Sequence, residues 1–291
     1  MGTPLGDFIR AKRDATSPAD LGLPDDGRRR APGLRRIELA TRAGMSVEYL
    51  TRIEQGRDRN PTLPVLRAIA DGLSLNVAER RHLTFLAKIA GGACVGQRQL
   101  NPAPLRQEVR PATLETLRLL EPAGVAMVTN KLGDVLAHTS AFNRLLQPTG
   151  LLDAEDPNLL RYLFTDPRAQ QALLNWEYVA DVQTFDLWHA PTLTAAEWLK
   201  AEIAAQAGPE FTARLSRNLP PESRPWQIRL PGGIVTKWQR EVLETPAEPE
   251  QQIVILIPAD EQTRNAFAQG QLEQDHSEQD RWGQVTPLRA V

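Results

Sequence analysis

The chain has 291 residues, of which 41% are hydrophobic and 24% are charged, a balance typical of a soluble folded protein. Its length predicts two domains, because a single core rarely grows beyond about 250–300 residues. No apolar run approaches the roughly 18 residues that span a bilayer, the N-terminus lacks a secretion signal, and the single cysteine, Cys94, excludes an intrachain disulfide. We therefore expect a cytoplasmic protein.

The formal net charge of −2 conceals an uneven distribution along the chain. Residues 1–92 hold 16 Lys and Arg against 11 Asp and Glu, whereas residues 93–291 hold 18 against 25. A positive excess favours contact with phosphates, so the first third of the chain is the candidate nucleic-acid-binding part.

Apolar periodicity predicts five helices in that first third, at about residues 4–14, 34–43, 46–55, 63–73 and 78–89. The stretch 17–33 is rich in proline and glycine and is expected to be a loop. Five helices in this length make a small bundle with one core.

The second and third helices are joined by a tight turn. Apolar residues three positions apart mark the inward faces of the two helices, Ile37 with Ala40 and Leu50 with Ile53. Gly44 suits the left-handed conformation that ends the first of them, and Ser46 is a good N-cap for the second. The pattern predicts a helix-turn-helix, and the alternative is an ordinary helical hairpin in a bundle.

The spacing Leu-Ala-x-x-Ala-Gly-Met-Ser at 39–46, followed by Leu50 and by Ile53-Glu54-x-Gly56, resembles the helix-turn-helix of phage-repressor-like (XRE) transcription regulators. The resemblance implies that the helix after Ser46 enters the DNA major groove and presents Val47, Glu48 and Arg52 to base edges. Arg52 suits guanine, and Val47 suits a thymine methyl group. Glu48 either accepts from a cytosine amino group or holds Arg52 in place.

Arginines before and after this motif are expected to contact the DNA backbone, since their donors suit phosphate oxygens. For the loop 28–30, the alternative is a solvated charged loop. In the resembled family, the position of Arg36 clamps a phosphate or reads the outer base pair. The complete set of predicted DNA contacts is Arg28, Arg29, Arg30, Arg35, Arg36, Ser46, Val47, Glu48, Thr51, Arg52, Arg57 and Arg59.

Glu54 has a different expected role. Its position in the resembled family pairs with a basic residue of the first helix, which here is Arg13. The resemblance therefore implies a structural ion pair that takes no part in DNA binding.

The resemblance is closest to the MmyB-like regulators over residues 5–90. It is carried by Leu21-Gly-Leu-Pro24, by the arginine-rich stretch Arg28–Arg36, by Ile53–Gly56 and by Asn60-Pro61. These regulators have the same long arginine-containing loop between the first two helices.

Glycines and prolines in 93–111 mark a linker. After it the pattern predicts a helix at 112–121, strands at 123–130 and 133–139, a helical block, and strands at 226–230, 234–242 and 252–258. Helices are expected to cover one face of this antiparallel sheet. The predicted domains are 1–92, the linker 93–111, a sensor domain 112–267 that contains a long insertion at 192–225, and a polar tail 268–291 that is disordered or draped.

This order resembles a PAS-like domain, and Pro157-Asn158, Phe164-x-Asp-Pro167 and Trp176-Glu177 stand where the MmyB-like C-terminal half is recognisable. The predicted fold is thus multidomain, an all-α five-helix lambda-repressor-like domain followed by an α+β PAS-like domain with a five-stranded antiparallel sheet. Its apolar residues either line a cavity for an apolar, fatty-acid-like ligand or simply fill the core. The candidates are Met127, Val128, Phe164, Trp176, Phe185, Trp226, Ile228, Trp238 and Ile255.

No metal spacing connects the four histidines, and no catalytic motif is recognisable, so an enzyme is not expected. No cofactor is expected except a bound apolar molecule such as a fatty acid. The predicted function is a ligand-sensing transcription regulator that binds a palindromic operator as a homodimer. The alternatives are a C-terminal domain that only dimerises or docks a protein partner, and an enzyme with a DNA-binding appendage.

Overall fold

The structure is a computed structural model that describes residues 3–23, 33–91, 108–189, 193–217, 219–244, 250–275 and 286–287. The chain divides into two compact units, the first made of Met1–Asn101 with Arg217–Pro220 and the second of Pro102–Ser216 with Pro221–Val291. Residues 92–107, which contain most of the predicted linker, lie outside the described ranges, so the exact domain boundaries stay a prediction.

In its described residues, the first unit is a bundle of five α-helices, as predicted. They are α1 (Pro4–Ala15), α2 (Arg36–Arg42), α3 (Val47–Glu54), α4 (Leu63–Gly72) and α5 (Val77–Ala90). The core draws apolar side chains from every helix, among them Leu5, Phe8, Leu39, Leu50, Ile53, Leu66, Ile69, Leu83 and Leu86. Helix α1 crosses close to the end of α3. The close approach requires a glycine at position 6, because an added methyl group there would overlap the Glu54 carbonyl oxygen.

One inward position of α2 was predicted wrongly. Ile37 is 59% exposed, whereas Leu39 and Ala40 are buried. Ile37 precedes Leu39 by two residues, a rotation of about 200° around a helix. Because Leu39 faces the core, Ile37 is turned away from it.

The second unit is an antiparallel sheet with helices on both faces. Its strands are β1 (Val125–Asn130), β2 (Val135–His138), β3 (Trp226–Arg229), β4 (Val235–Glu244), β5 (Gln251–Pro258) and β6 (Thr286–Pro287). They are ordered β3-β4-β5-β1-β2-β6. The predicted five-stranded antiparallel sheet is confirmed, and the two-residue β6 extends it beyond β2.

Eight helices accompany this sheet in the described residues. They are α6 (Pro111–Leu120), α7 (Ser140–Leu146), α8 (Leu159–Thr165), α9 (Arg168–Ala172), α10 (Trp176–Asp186), α11 (Leu193–Ala207), α12 (Pro209–Arg217) and α13 (Glu261–Asp275). The tail predicted from residue 268 is therefore helical as far as Asp275, and residues 276–285 lie outside the described ranges.

The alternation of side chains along β1 divides the sheet into two faces. Val125 and Met127 belong to an inner core that helices α7 to α10 cover, whereas Ala126 and Val128 pack with Leu117 of α6 on the outer face. The prediction that helices cover only one face is therefore wrong, since α6 covers the other.

The predicted insertion at 192–225 carries two helices, α11 and α12. They form a core of their own against α8, to which Leu160, Leu199, Ile203 and Phe211 contribute. Arg161 of α8 fixes this layer by a two-pronged contact with Glu202, with Nε 2.7 Å and Nη2 3.0 Å from the carboxylate oxygens.

Candidate functional site

The outward surface of α3 matches the expected reading helix in its exposure pattern. Glu48, Arg52 and Gln55 are exposed, while Leu50 and Ile53 are buried. The remaining predicted contacts on this helix, Val47 and Thr51, are half-buried, and Ser46 is exposed. The charged side chains of Glu48 and Arg52 are therefore accessible to a partner as large as double-stranded DNA.

Local sequence signals set the start of this helix. Gly44 adopts a φ of 62°, and the Ser46 hydroxyl accepts a hydrogen bond from the Tyr49 amide at 3.1 Å. The Thr51 hydroxyl donates to the Val47 carbonyl oxygen at 2.7 Å, within the helix. Any contact of Thr51 with DNA would therefore use the methyl group or a lone pair of the hydroxyl.

Several of the residues predicted to contact the DNA backbone lie at the two ends of the helix-turn-helix. Arg35, Arg57 and Arg59 are exposed. Arg35 precedes α2, and its backbone amide donates to the Glu38 carboxylate at 2.7 Å, which leaves the guanidinium outside the capping interaction. Residues 28–30 lie outside the described ranges, so the role of that loop stays a prediction.

Glu54 is fully buried and is shared by two arginines. Arg13 Nε lies 2.9 Å from Glu54 Oε1, and Arg36 Nε lies 2.6 Å from Glu54 Oε2. Arg13 also donates through Nη1 to the Leu34 carbonyl oxygen at 2.7 Å. Glu54 therefore ties α3 to both α1 and the start of α2, and we call these three side chains the Glu54 clamp.

The second arm of the Glu54 clamp was missed in the sequence, where Arg36 was assigned to DNA alone. Its side chain is 43% exposed, and its Nε edge is committed to Glu54. Arg36 stands 18 residues before Glu54, so no local spacing reveals the contact.

Tyr49 and Asp58 form another contact that the sequence did not indicate. Burial and the neighbouring Asp58 carboxylate, which accepts a hydrogen bond from the phenol, raise the pKa of Tyr49 above its ordinary value. Asp58 also accepts from the Asn60 amide at 3.1 Å, and its own amide donates to the Arg52 carbonyl oxygen at 3.2 Å. These contacts fix the loop that follows α3.

In the second unit, six of the nine predicted ligand-binding residues meet in the inner core. They are Met127, Phe164, Trp176, Trp226, Ile228 and Trp238. The rings are arranged edge to face, with Phe164 centred 5.7 Å from Trp176 and 5.0 Å from Phe211. The indole of Trp176 donates to the Leu163 carbonyl oxygen at 2.8 Å.

The remaining three residues do not belong to that cluster. Val128 and Ile255 lie on the outer face of the sheet against α6, because each is one residue out of phase with the inward Met127 and Val254. Phe185 is half-buried on α10 and is not part of the inner core.

Helix α10 is joined to the β3–β4 part of the sheet by polar contacts at both of its ends. At its start, Asn175 donates to the Pro225 carbonyl oxygen at 2.8 Å and accepts from the Gln227 amide at 2.9 Å. At its end, Asp186 accepts from Arg240 Nη2 at 2.6 Å. Sequence reasoning missed Asp186 and Arg240, although Arg240 is in phase with the inward Trp238.

Comparison with protein-family models assigns both parts of the chain. Residues 4–83 match a helix-turn-helix domain, and residues 109–269, more than half of the chain, match the MmyB-like transcription regulator ligand binding domain. The chain belongs to the MmyB-like transcription regulators. No curated protein matched it at a significant level. The resemblance drawn from the sequence is thereby confirmed for both halves.

This MmyB-like regulator therefore combines a DNA-binding helix-turn-helix domain with a ligand-binding domain. Neither family model describes an enzyme. The described residues contain no group of three or more His, Cys, Asp or Glu placed to hold a metal ion. Among the helices of the described ranges, none has the length and apolar character needed to cross a bilayer.

Proposed function

We propose that this protein is a cytoplasmic transcription regulator that binds a palindromic operator as a homodimer and senses a small apolar, fatty-acid-like molecule through its second unit. The observation that carries the proposal is the pairing of an exposed helix α3, built as a reading helix, with an aromatic inner core in a domain of a ligand-binding family.

The exposed groups of α3 support the DNA half of the proposal. Arg52 donates to guanine O6 and N7, and Glu48 accepts from a cytosine amino group or orients Arg52. Arg35, Arg57 and Arg59 supply phosphate contacts that set the position of the helix. One such domain reads about half of an operator, so a dimer with half-sites about one helical turn apart accounts for a site of useful length.

The composition of the inner core supports the ligand half. Its members are aliphatic and aromatic, and a cation at its border, Arg214, stacks on the Trp176 ring at 5.0 Å and pairs with Asp181 at 2.7 Å. A lining of this kind suits an apolar molecule better than a sugar or a nucleotide.

A second candidate function is also based on a specific observation. Trp226, Ile228 and Trp238 are each 1% exposed or less, as in a close-packed core that needs no ligand. In that case the second unit only dimerises or docks a protein partner, and the DNA-binding half is unchanged.

Extraction of the purified protein with organic solvent separates the two candidates. A stoichiometric apolar compound in the extract, identified by mass spectrometry and absent from an unrelated protein purified in parallel, supports sensing. The delipidated protein is then used to select DNA fragments with and without that compound. An empty extract, together with DNA selection that no added fatty acid alters, would favour the second candidate.

A further inference from the structure

A surface groove lies between α4 and α5 of the first unit and has a volume of about 410 Å³. Leu66, Ala70 and Leu83 form its floor and are buried. Leu63 also lines the groove, at the end away from the turn that joins the two helices, and is 56% exposed. An apolar surface with a polar border is a common form of protein-binding site, so the charges around this groove indicate what it binds.

The border of the groove carries more positive than negative charge. Arg80 donates to the Asp71 carboxylate at 2.5 Å and to a backbone carbonyl oxygen at 2.8 Å, so it is held in place and offsets the charge of Asp71. Arg67 is exposed on the α4 side. Lys88 is exposed on the α5 side, one helical turn after Thr84 of the lining. An acidic partner is therefore attracted from both sides.

A second copy of the chain fits this groove poorly. Eight residues line it, whereas a stable protein interface uses roughly 20–30 on each side. A two-fold contact places the same surface on both subunits, so Arg67 and Lys88 would meet the same positive border on the other copy. Double-stranded DNA is disfavoured because its phosphates are bound by polar groups and not by an apolar floor. An enclosed small molecule is disfavoured by the exposure of Leu63, since ligand pockets cover about 70–90% of the ligand's surface.

An amphipathic helix with acidic borders matches both the floor and the charges of the groove. The lining runs from Leu63 to Asp71 along α4, a rise of about 12 Å or just over two helical turns. A helix bound in a groove of that length inserts apolar residues at positions i, i+4 and i+7. Its flanking carboxylates then face Arg67 on one side and Lys88 on the other.

We propose that the groove between α4 and α5 binds a short acidic amphipathic helix of a partner protein. The proposal adds a protein contact to the DNA-binding unit and does not depend on what the second unit senses. Burial of apolar side chains on the floor supplies most of the affinity, and Arg67 and Lys88 select acidic over basic partners.

The test measures the binding of two fluorescein-labelled helical peptides to the full-length protein by fluorescence anisotropy at physiological salt. Each peptide has about 14 residues with leucines at positions i, i+4, i+7 and i+11, and one carries glutamates on its flanks where the other carries lysines. The glutamate peptide should bind at least about tenfold more tightly, because like charges that face each other are unfavourable. Arg67→Glu and Leu63→Gln should each weaken its binding by about three- to tenfold.

Each of these variants has a matched control in the same unit. Arg57→Glu makes the same charge change at an exposed residue of the predicted DNA-binding surface. Ile37→Gln makes the same apolar-to-polar change on α2, at a residue that is 59% exposed. Both controls should bind the glutamate peptide as the wild type does. Arg67→Ala removes the charge without reversing it, so its affinity should fall between those of the wild type and Arg67→Glu.

Several outcomes would overturn the proposal. They are equal affinity for the two peptides, no binding of the glutamate peptide, and an unchanged affinity in Arg67→Glu or in Leu63→Gln. Weakening by Arg57→Glu as large as by Arg67→Glu would assign the binding to general attraction by the positive unit. A loss of self-association in Leu63→Gln, measured by sedimentation and without peptide binding, would assign the groove to a second copy of the chain.

Discussion

Replacing Arg13 by methionine removes one arm of the Glu54 clamp and keeps most of the side-chain volume. Arg13 is 90% buried at its side chain and makes three polar contacts, with Glu54 Oε1 at 2.9 Å, with the Leu34 carbonyl oxygen at 2.7 Å and with Asp14 Oδ1 at 2.7 Å. Replacing Arg36 in the same way removes the other arm, which is 43% exposed. The two variants therefore compare a buried and a half-exposed partner of one carboxylate.

The expected costs follow from that difference in burial. Breaking a buried ion pair on one side costs about 3–5 kcal/mol. Since Glu54 keeps Arg36 in the Arg13→Met variant, we expect the lower end, about 3 kcal/mol. Arg36→Met removes a contact that water partly screens, for which about 1 kcal/mol is expected.

Hydrogen exchange read by mass spectrometry measures these costs in the full-length protein. Amides of α3 should lose protection by about 3 kcal/mol in Arg13→Met and by about 1 kcal/mol in Arg36→Met. Peptides from β1 and β5 serve as an internal control and should exchange as in the wild type. Tryptophan fluorescence adds a second control, because all six tryptophans follow residue 175 and report only on the second unit.

Two results would refute this reasoning. Unchanged protection of α3 in Arg13→Met would mean that the buried pair does not hold the helix. A larger loss of α3 protection in Arg36→Met than in Arg13→Met would mean that burial does not determine which of the two contacts stabilises the helix more.

Three further predictions concern DNA binding and pH. Arg52→Ala should weaken operator binding by about 1–3 kcal/mol and relax the preference at one base position, measured against a series of single-base operator variants; an unaltered preference would contradict its role in base reading. Replacing Arg28, Arg29 and Arg30 by alanine should weaken binding evenly across sequences and flatten the log–log salt dependence by about 0.9 for each phosphate that the loop no longer neutralises, and an unchanged slope would separate the loop from the DNA. Burial, offset in part by the Thr139 carbonyl oxygen and by Glu121, lowers the pKa of His138 below its ordinary value. The unfolded chain then takes up a proton before the folded chain does, so the urea midpoint of the second unit should fall as pH drops below about 6.5, and His138→Gln should reduce that slope.

Local signals in the sequence were sufficient to predict the helix-turn-helix. Gly44 and Ser46 fix the turn through their own backbone conformation and capping, and the periodic Leu50 and Ile53 define the inward face of α3. Contacts between distant residues were predicted only through the family resemblance, which supplied Arg13 for Glu54. Arg36 was assigned by the same resemblance to DNA, and its contact with Glu54 needed the structure.

The sensor core was predicted less completely, for a physical reason. An apolar strand residue packs well on either face of a sheet when helices cover both, so Val128 and Met127 have similar sequence signals but lie on opposite faces. The contact between Asp186 and Arg240 could not be recognised either, because it joins residues 54 positions apart and no local spacing indicates it.

The Glu54 clamp also bears on how such regulators diverge. Its three members are constrained by one another, because a change at Glu54 would remove the buried carboxylate that pairs with both Arg13 and Arg36. Glu48 and Arg52 are exposed on the same helix, Gln55 follows it, and all three lie outside the clamp. Under the proposed base-reading role, gene duplicates would acquire new operators by substitutions here while the clamp, and with it the scaffold, is kept.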